Sequence, residues 1–379
     1  MNGNQRHAVK IQRISAPEEF YSLQDKWNVL LAESTANNFF LRWEWLWAWW
    51  KAYEDKNYKL CILLIFRGDD LIGIAPFYIV HKSWRNLFSY RRLMFLGTKE
   101  GNVISEYMDI ICRDGDEEDV IRRVIEFVAQ EDLCDDLFLH MIDASSKTIN
   151  LLESISHNMK FLRIVADKVE SPYIRLNGSY DGFLNGLSSM MRHNIRTNER
   201  RLESCSDAAF SKADDISEFS RDFEELVRLH QCRWESRGLH GSFSKDRFRE
   251  FQRMVMPYIL KNGHLELRFL SVSGKKIAAL YNIRYNNKIY FYQSGLDASF
   301  DRKLAPGLLL HNHSIKEAVS NGLKEYDFLP MGNLDSYKKH WTKDCRYVCN
   351  IYMARPGIVK LATAAQDKMR TAYHAMREF

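Results

Sequence analysis

The sequence has few cysteines, and none arranged to bind metal or build a framework. Seven are scattered at positions 61, 112, 134, 205, 232, 345 and 349, an odd number without a CxxC pair. That usage favours a reduced chain over a disulfide scaffold. Cys345 and Cys349 have no His or Cys cluster beside them, so no metal is expected. No uncharged apolar run reaches about 18 residues, which excludes a membrane-spanning helix by sequence. The first residues, Met-Asn-Gly-Asn-Gln-Arg-His, lead into polar sequence rather than an apolar core, so no signal peptide is expected and the cytoplasm is the expected compartment. Neither sign of charge dominates: 54 Lys and Arg stand against 49 Asp and Glu. A surplus of that size does not argue for nucleic acid, and no DNA partner is expected. Also absent are a Ser-His-Asp or Cys-His constellation and any sustained heptads. The oligomeric state is not readable.

What is present is an ordinary globular composition, 46% apolar and 27% charged, over 379 residues. That length exceeds one hydrophobic core and predicts two domains. Helical spacing covers Pro17 to Ser34, with Phe20, Leu23, Trp27, Leu30 and Leu31 on one face. The aromatic run Phe39, Phe40, Trp43, Trp45, Trp47, Trp49, Trp50, Tyr53 fits either a stacking or membrane-interface platform or a helix buried on most sides. Burial is preferred, with Arg42, Glu44 and Lys51 as its wet edge. Strands are predicted at Lys59–Phe66 and Leu71–Val80 around an Arg-Gly-Asp-Asp turn, then at Arg92–Leu96, Tyr107–Cys112 and Leu137–Ile142. A helix over Asp116–Gln130 opens on acidic residues, as its dipole prefers.

The spacing from Leu60 to Ile72 recurs from Leu265 to Ile277, each copy preceded by two predicted helices, which points to duplication of one α/β unit. The boundary is expected near Glu170–Asn177, where Ser171-Pro172 interrupts the pattern. The domains are therefore expected at residues 1–170 and 171–355, with an amphipathic C-terminal helix over 356–379. In the second unit helices are predicted at Tyr180–Leu187, Ser188–Ser204, Ile216–Ser236, Lys245–Asn262 and Pro306–Asn321, and a short one near Leu334–Trp341. Strands are predicted at Ala208–Lys212, His264–Val272, Lys276–Tyr285, Lys288–Gly295, Glu325–Leu329 and Tyr347–Met353.

One segment carries chemistry in its order: the aromatic strand Tyr290-Phe-Tyr-Gln-Ser-Gly-Leu-Asp297, then Arg302-Lys-Leu-Ala-Pro-Gly307, then an amphipathic helix. A helix start beside positive charge favours an anion through free N–H groups and the dipole. Pro306 suits the first helical position, and Gly307 permits close approach of a ligand. The alternative is an ordinary Pro-capped helix. Arg192, Arg196 and Arg200 recur every four residues on one helix face, suited to phosphate or, equally, a solvated face paired with Glu199 and Glu203.

Four segments resemble the acyl-CoA N-acyltransferase (GNAT-like) superfamily. They are Phe40-x-x-Trp43-x-Trp45-Leu46-x-x-Trp49-Trp50; Ser188 through Leu202; Leu229-His-Gln-Cys-Arg-Trp-Glu-Ser-Arg-Gly238-x-x-Gly241; and Ala305-Pro-Gly through Asp327-Phe-Leu-Pro-Met-Gly332 and Tyr337-Lys338. The likeness is to the branch with two tandem units, which includes FemAB-like transferases and the CelD/BcsL-like acetyltransferases found with bacterial polysaccharide genes. It implies an α/β fold with mixed sheets and two tandem GNAT-like domains, the first a scaffold and the second the active unit. It also implies direct acyl transfer from acetyl-CoA or another acyl-CoA to a small-molecule or nucleotide-linked amine, such as an amino-sugar. The alternatives are a FemAB-like aminoacyl transfer on a peptidoglycan precursor, from aminoacyl-tRNA, and a non-catalytic binding subunit.

Such domains hold the CoA pyrophosphate on a loop of the form Gln/Arg-x-x-Gly-x-Gly/Ala. Here Arg302 and Gly307 match, Ala305 replaces the first glycine, and Pro306 lacks an N–H. By this resemblance Gln293, Ser294, Arg302, Lys303, Ala305, Gly307 and Leu308 are expected at the cofactor. Arg192, Arg196, His230, Trp234, Arg237 and Lys338 are expected at the substrate. Asp327, a carboxylate ending a strand, is the expected base or acceptor-orienting group and Tyr337 the general acid, with a backbone N–H of Phe291–Ser294 meeting the oxyanion.

Overall fold

A computed structural model of the chain describes residues 9–84, 88–99, 104–156, 162–205, 207–300, 303–332 and 336–355. Arg302 and the expected helix over 356–379 lie outside these residues. The described residues divide into two compact units, residues 9–169 with 347–355 and residues 170–346.

The elements of the first stretch are β1 (Val9–Ile14), α1 (Pro17–Tyr21), α2 (Gln24–Ala32), α3 (Trp43–Tyr53), β2 (Tyr58–Arg67), β3 (Asp70–Trp84), β4 (Phe88–Phe95), β5 (Ile111–Cys112), α4 (Glu117–Gln130), β6 (Asp136–Asp143), α5 (Lys147–Ser156) and β7 (Leu162–Arg175). The second stretch runs α6 (Tyr180–Gly186), α7 (Ser189–Glu203), β8 (Ala209–Lys212), α8 (Phe219–Glu235), α9 (Asp246–Lys261), β9 (Leu265–Val272), β10 (Lys275–Tyr285), β11 (Lys288–Leu296), α10 (Pro306–Ser320), β12 (Glu325–Asp327), a 3-10 turn (Ser336–His340) and β13 (Cys345–Ala354). A strand, a set of helices (three in the first stretch, two in the second), a three-stranded meander, a crossover helix and a strand thus occur twice in the same order, with the short β5 added in the first.

Strand pairing repeats with the order. The first sheet runs β1-β2-β3-β4-β6-β13, and all its pairings are antiparallel except β4 with β6. The second runs β8-β9-β10-β11-β12-β7, with β11 and β12 the parallel pair. Each parallel pair is joined by a crossover helix, α4 or α10. The first register pair of each carries a cation against a carboxylate, Arg92 with Asp136 and Lys288 with Glu325. β7, which closes the first copy in sequence, borders the second sheet through Tyr173–Arg175, and β13, which closes the second copy, borders the first through Val348–Ala354.

Unit 1 is built on its aromatics. Trp27, Trp45 and Trp49 are fully buried, and Trp27 and Trp43 donate their indole N–H to the carbonyls of Leu41 (2.8 Å) and Phe20 (2.9 Å). This is the buried helix the sequence predicts, with one correction. Glu44 is buried rather than on the wet edge, because Gln24, Asn28 and Arg42 all donate to its carboxylate. The predicted strand Tyr107–Cys112 shortens to Ile111–Cys112, since Tyr107 takes a left-handed backbone (φ 52°) that a strand cannot hold. Ser171-Pro172 does not break the chain. β7 runs through it, and the Pro172 carbonyl accepts from Phe328 N–H at 3.0 Å.

Candidate active site

β11 pairs with β12 only from Lys288 to Tyr290, yet continues to Leu296 with β10 alone on its other side. The two parallel strands therefore part beyond Tyr290, and a crevice opens at their carboxyl ends. In open α/β sheets this is where ligands bind. The crevice holds a cavity of about 340 Å3 lined from α7, α8, β10, β11, the first turns of α10 and the 3-10 turn.

Its chemistry is one-sided. Arg233 and Arg237 line it, as do Asn194, Ser294, His311, Tyr337 and His340, and no carboxylate does among the described residues. Arg233 donates through Nη1 to Ser294 Oγ, and both guanidinium groups lie near the Trp234 ring, at 5.5 and 6.0 Å from its centroid. Lys338 is buried just behind, its Nζ 5.6 Å from the Phe291 ring. Low-dielectric walls carrying one sign of charge focus a field that attracts anions.

The start of α10 adds backbone donors. Ala305 N–H is held by Asn198 Oδ1 of α7 at 2.8 Å, and Pro306 has no N–H. The first turn closes with Leu309 N–H on the Ala305 carbonyl, so Gly307 and Leu308 keep N–H groups without a backbone acceptor among the described residues. Both residues line the cavity. A Cβ added at Gly307 would meet only the Leu296 side chain, at 3.5 and 3.7 Å, so internal packing does not require the glycine.

Unit 1 lacks these features at the equivalent place. Its crossover helix α4 opens with Glu117, Glu118 and Asp119, which repel an anion. Beyond its parallel pair, the side chains of Ser105 and Leu46 stand 2.5 and 2.8 Å from where a Gly97 Cβ would lie. At Gly97, then, the chain packs against itself too closely for a side chain.

Arg237, Ser294, Gly307, Leu308 and Tyr337 come together at the cavity wall, with Trp234 and Lys338 immediately behind it. His230 is fully buried. Its Nε2 accepts from Trp234 Nε1 (3.0 Å), so Nδ1 holds the proton and donates to Gln231 Oε1 (3.1 Å), while the Gln293 amide lies 3.1 Å from Nε2. Burial pushes this imidazole down to about 3, so it stays neutral and holds α8 against β11. Ala305 caps α10, the Lys303 carbonyl accepts from Arg201, and neither residue is among those lining the cavity.

Arg192 is turned to the carbonyls of Asn185 and Leu187, while Arg196 is exposed outside the cavity lining. Asp327 is fully buried and not among the lining residues. Its Oδ1 accepts from Leu329 N–H at 2.7 Å, and its Oδ2 lies 3.6 Å from Arg346 Nη1. That bond holds Leu329 in a left-handed conformation (φ 59°), which makes Asp327 the cap of a turn.

Sequence reasoning overlooked His311, Asn194 and Trp341. His311 stands one helical turn beyond Gly307, and i, i+4 neighbours share a face, so the Gly307–His311 spacing carried the signal. Its Nδ1 lies 2.9 Å from Tyr326 Oη, and its ring sits among Phe291, Phe328, Tyr337 and Trp341. Among the described residues no group of three or more His, Cys, Asp or Glu forms a metal cluster, and no helix is long and apolar enough to cross a membrane.

Comparison with known proteins agrees with this geometry. Residues 189–339 match the family model described as an acetyltransferase (GNAT) domain. No curated protein sequence matches the chain. Among solved structures, FemX superposes with a TM-score of 0.57 at 11% identity, over 91% of this chain and 95% of that one. L-PGS from Bacillus licheniformis gives 0.54 at 12% identity, over 92% and 96%. The C-terminal domain of a candidate lysylphosphatidylglycerol synthetase from Agrobacterium fabrum gives 0.52 at 10%, over 93% and 96%. At such identities the likeness is one of fold, and the fold is the α/β arrangement of GNAT-like units that the sequence predicts.

Proposed function

We infer, from the premise that this is a GNAT-fold chain whose second unit is a GNAT acyltransferase domain, that unit 2 moves an aminoacyl group from tRNA to an amine. The observation that carries the reading is the start of α10. A CoA pyrophosphate needs several converging N–H donors, and here Ala305 N–H is held by Asn198 while Pro306 has none. Two remaining donors, at Gly307 and Leu308, suit a single oxyanion or one phosphate, and Arg233 and Arg237 complete a site for one anionic group. The exposed arginines of α7, Arg196 and Arg200, extend positive charge outside the cavity, as a long polyanionic donor would use. The resemblance to FemAB-like transferases and the fold neighbour named for lysylphosphatidylglycerol support the same donor.

Acyl-CoA is the second reading, favoured by the acetyltransferase description of the matching family model. An amino-sugar or other envelope precursor remains the proposed acceptor, and the cytoplasm the proposed compartment. Unit 1 is proposed as scaffold, because its crossover helix starts on acidic residues and its chain packs tightly at Gly97.

The reading is tested with the full chain, a pool of tRNA charged with labelled amino acids, and labelled acetyl-CoA in a parallel reaction. A bacterial envelope extract supplies acceptors. Protein-dependent discharge of the tRNA pool above the spontaneous rate is the expected result. Discharge of acetyl-CoA alone would replace the first reading with the second.

A further inference from the structure

We propose that His311 is the proton acceptor of this acyl transfer and that Tyr326 is the residue that positions it. The proposal rests on the acyl-transfer reading of unit 2 but not on which donor is used. His311 lines the cavity from α10, four residues after Gly307, and is only 5% exposed. Its Nδ1 is fixed 2.9 Å from Tyr326 Oη, while Nε2 has no hydrogen-bond partner among the described residues. Tyr326 is itself held in place. It is fully buried, and the Asn282 side-chain amide reaches both its Oη (3.4 Å) and Ser314 Oγ (3.0 Å). An imidazole with one nitrogen pinned to a buried partner and the other open to a ligand cavity has the arrangement of a general base.

The charges around it explain how a buried base stays available. Arg233 faces it from α8, Lys338 from the 3-10 turn beside Tyr337, and Tyr326 from β12. Burial, followed by those two cations, pushes His311 down to about 3, so the free protein holds a neutral ring. An anionic donor paired with Arg233 cancels part of that opposing field and raises the basicity of the ring only when substrate is bound.

The step balances without a further reactant. The amine nitrogen attacks the acyl carbonyl and a C–N bond forms, while its proton passes to Nε2. The bond from the carbonyl carbon to the donor oxygen (or sulfur) then breaks, and the imidazolium returns that proton to the leaving group. The scheme takes the tautomer in which Nδ1–H donates to Tyr326 Oη, which leaves Nε2 free to accept.

The experiment combines nitrogen-15 histidine NMR of the full chain with donor discharge by variants. At pH 7 the free protein is expected to show His311 neutral, protonated on Nδ1 and bare on Nε2, with the resonance assigned by its loss in His311→Gln. His311→Gln is expected to lower discharge on the order of 100-fold or more while donor affinity, by calorimetry, changes less than about twofold. His311→Asn, which keeps a group near Tyr326 but supplies no base, should fall as far. Tyr326→Phe should lose roughly tenfold and move the acid limb of the pH profile to lower pH, because the imidazolium loses its acceptor.

A neutral ring protonated on Nε2 would overturn the proposal, as would His311→Gln discharging donor at the wild-type rate. A wild-type protein that discharges neither donor would overturn the acyl-transfer reading instead, and the NMR tautomer would still report on His311.

Discussion

Replacing Gly307 separates folding from binding in opposite directions. An alanine Cβ there meets only Leu296, at 3.5 and 3.7 Å, which is ordinary contact distance. Gly307 is not among the residues at positive φ, so its backbone suits any residue. Gly307→Ala should therefore stabilise unit 2 by about 0.4–1 kcal/mol, chiefly by restricting the unfolded chain. Because Gly307 and Leu308 line the cavity, the same methyl group is expected to crowd a ligand that approaches their N–H groups. Losing one charge-assisted hydrogen bond is worth about 1.5–3 kcal/mol, so donor affinity should fall roughly ten- to hundredfold. Gly307→Trp, which puts an indole into a cavity of about 340 Å3, should abolish binding. Urea unfolding measures the first effect, and calorimetry with charged tRNA and with coenzyme A measures the second. If both variants fold and bind like wild type, the ligand does not enter at the start of α10.

Three further predictions follow from packing and burial. Gly295→Ala would place a Cβ 2.4 Å from His230 N and 2.6 Å from Leu229 C, backbone atoms that cannot give way, so stability should fall by about 1–3 kcal/mol or more; an unchanged melting temperature would show that α8 does not lie against β11 as described. In unit 1, Asp136 receives fully buried Arg92 at 2.8 and 2.6 Å, so Asp136→Asn should cost about 3–5 kcal/mol while donor binding survives, and a loss under about 1 kcal/mol would contradict the pairing. His230 and His311 are each depressed from an ordinary value near 6.5 to about 3, so the unfolded chain binds more protons between those pH values. Stability should be fully present above about pH 6.5 and fall by about 1.4 kcal/mol per pH unit for each histidine as pH drops. Buried Asp109, pushed up to about 6, works in the opposite sense below that pH, so the test is the difference between proteins: His230→Gln should flatten the fall relative to wild type by about 1.4 kcal/mol per pH unit, and parallel profiles would count against the burial of His230.

The fold was legible where local chemistry decides it. The Arg-Gly-Asp-Asp and Asn286-Asn287 turns announce their hairpins because a left-handed backbone is needed there, at Gly68 and at both asparagines. The repeat at Leu60 and Leu265 was visible because both strands start a run of six consecutive buried residues there. The courses of β7 and β13 were not, since an alternating or apolar strand does not say which sheet it joins. Pro172 read as a break, yet β7 runs through it, because proline keeps its carbonyl and that carbonyl accepts from Phe328 N–H. At the site, Gly307 and Tyr337 stood out through turn chemistry and family pattern. Asp327 looks alike in sequence whether it caps a turn or works on a substrate, and the structure shows its carboxylate accepting from Leu329 N–H outside the cavity lining. His311 gave a weak sequence signal because one histidine on an amphipathic helix is an ordinary core residue until the splay of β11 from β12 turns that face into a cavity wall.

The central claim is that the cation-lined crevice of unit 2 receives the anionic group of an activated acyl donor, with Arg233 at its wall. The most direct measurement is calorimetric titration of charged tRNA, and separately of coenzyme A, into wild type and Arg233→Glu. Melting curves confirm that both proteins fold. Saturable binding of charged tRNA by wild type, lost by at least tenfold in Arg233→Glu at equal stability, is the predicted result. Equal affinity in the two proteins, or no binding of either donor by wild type, would contradict it.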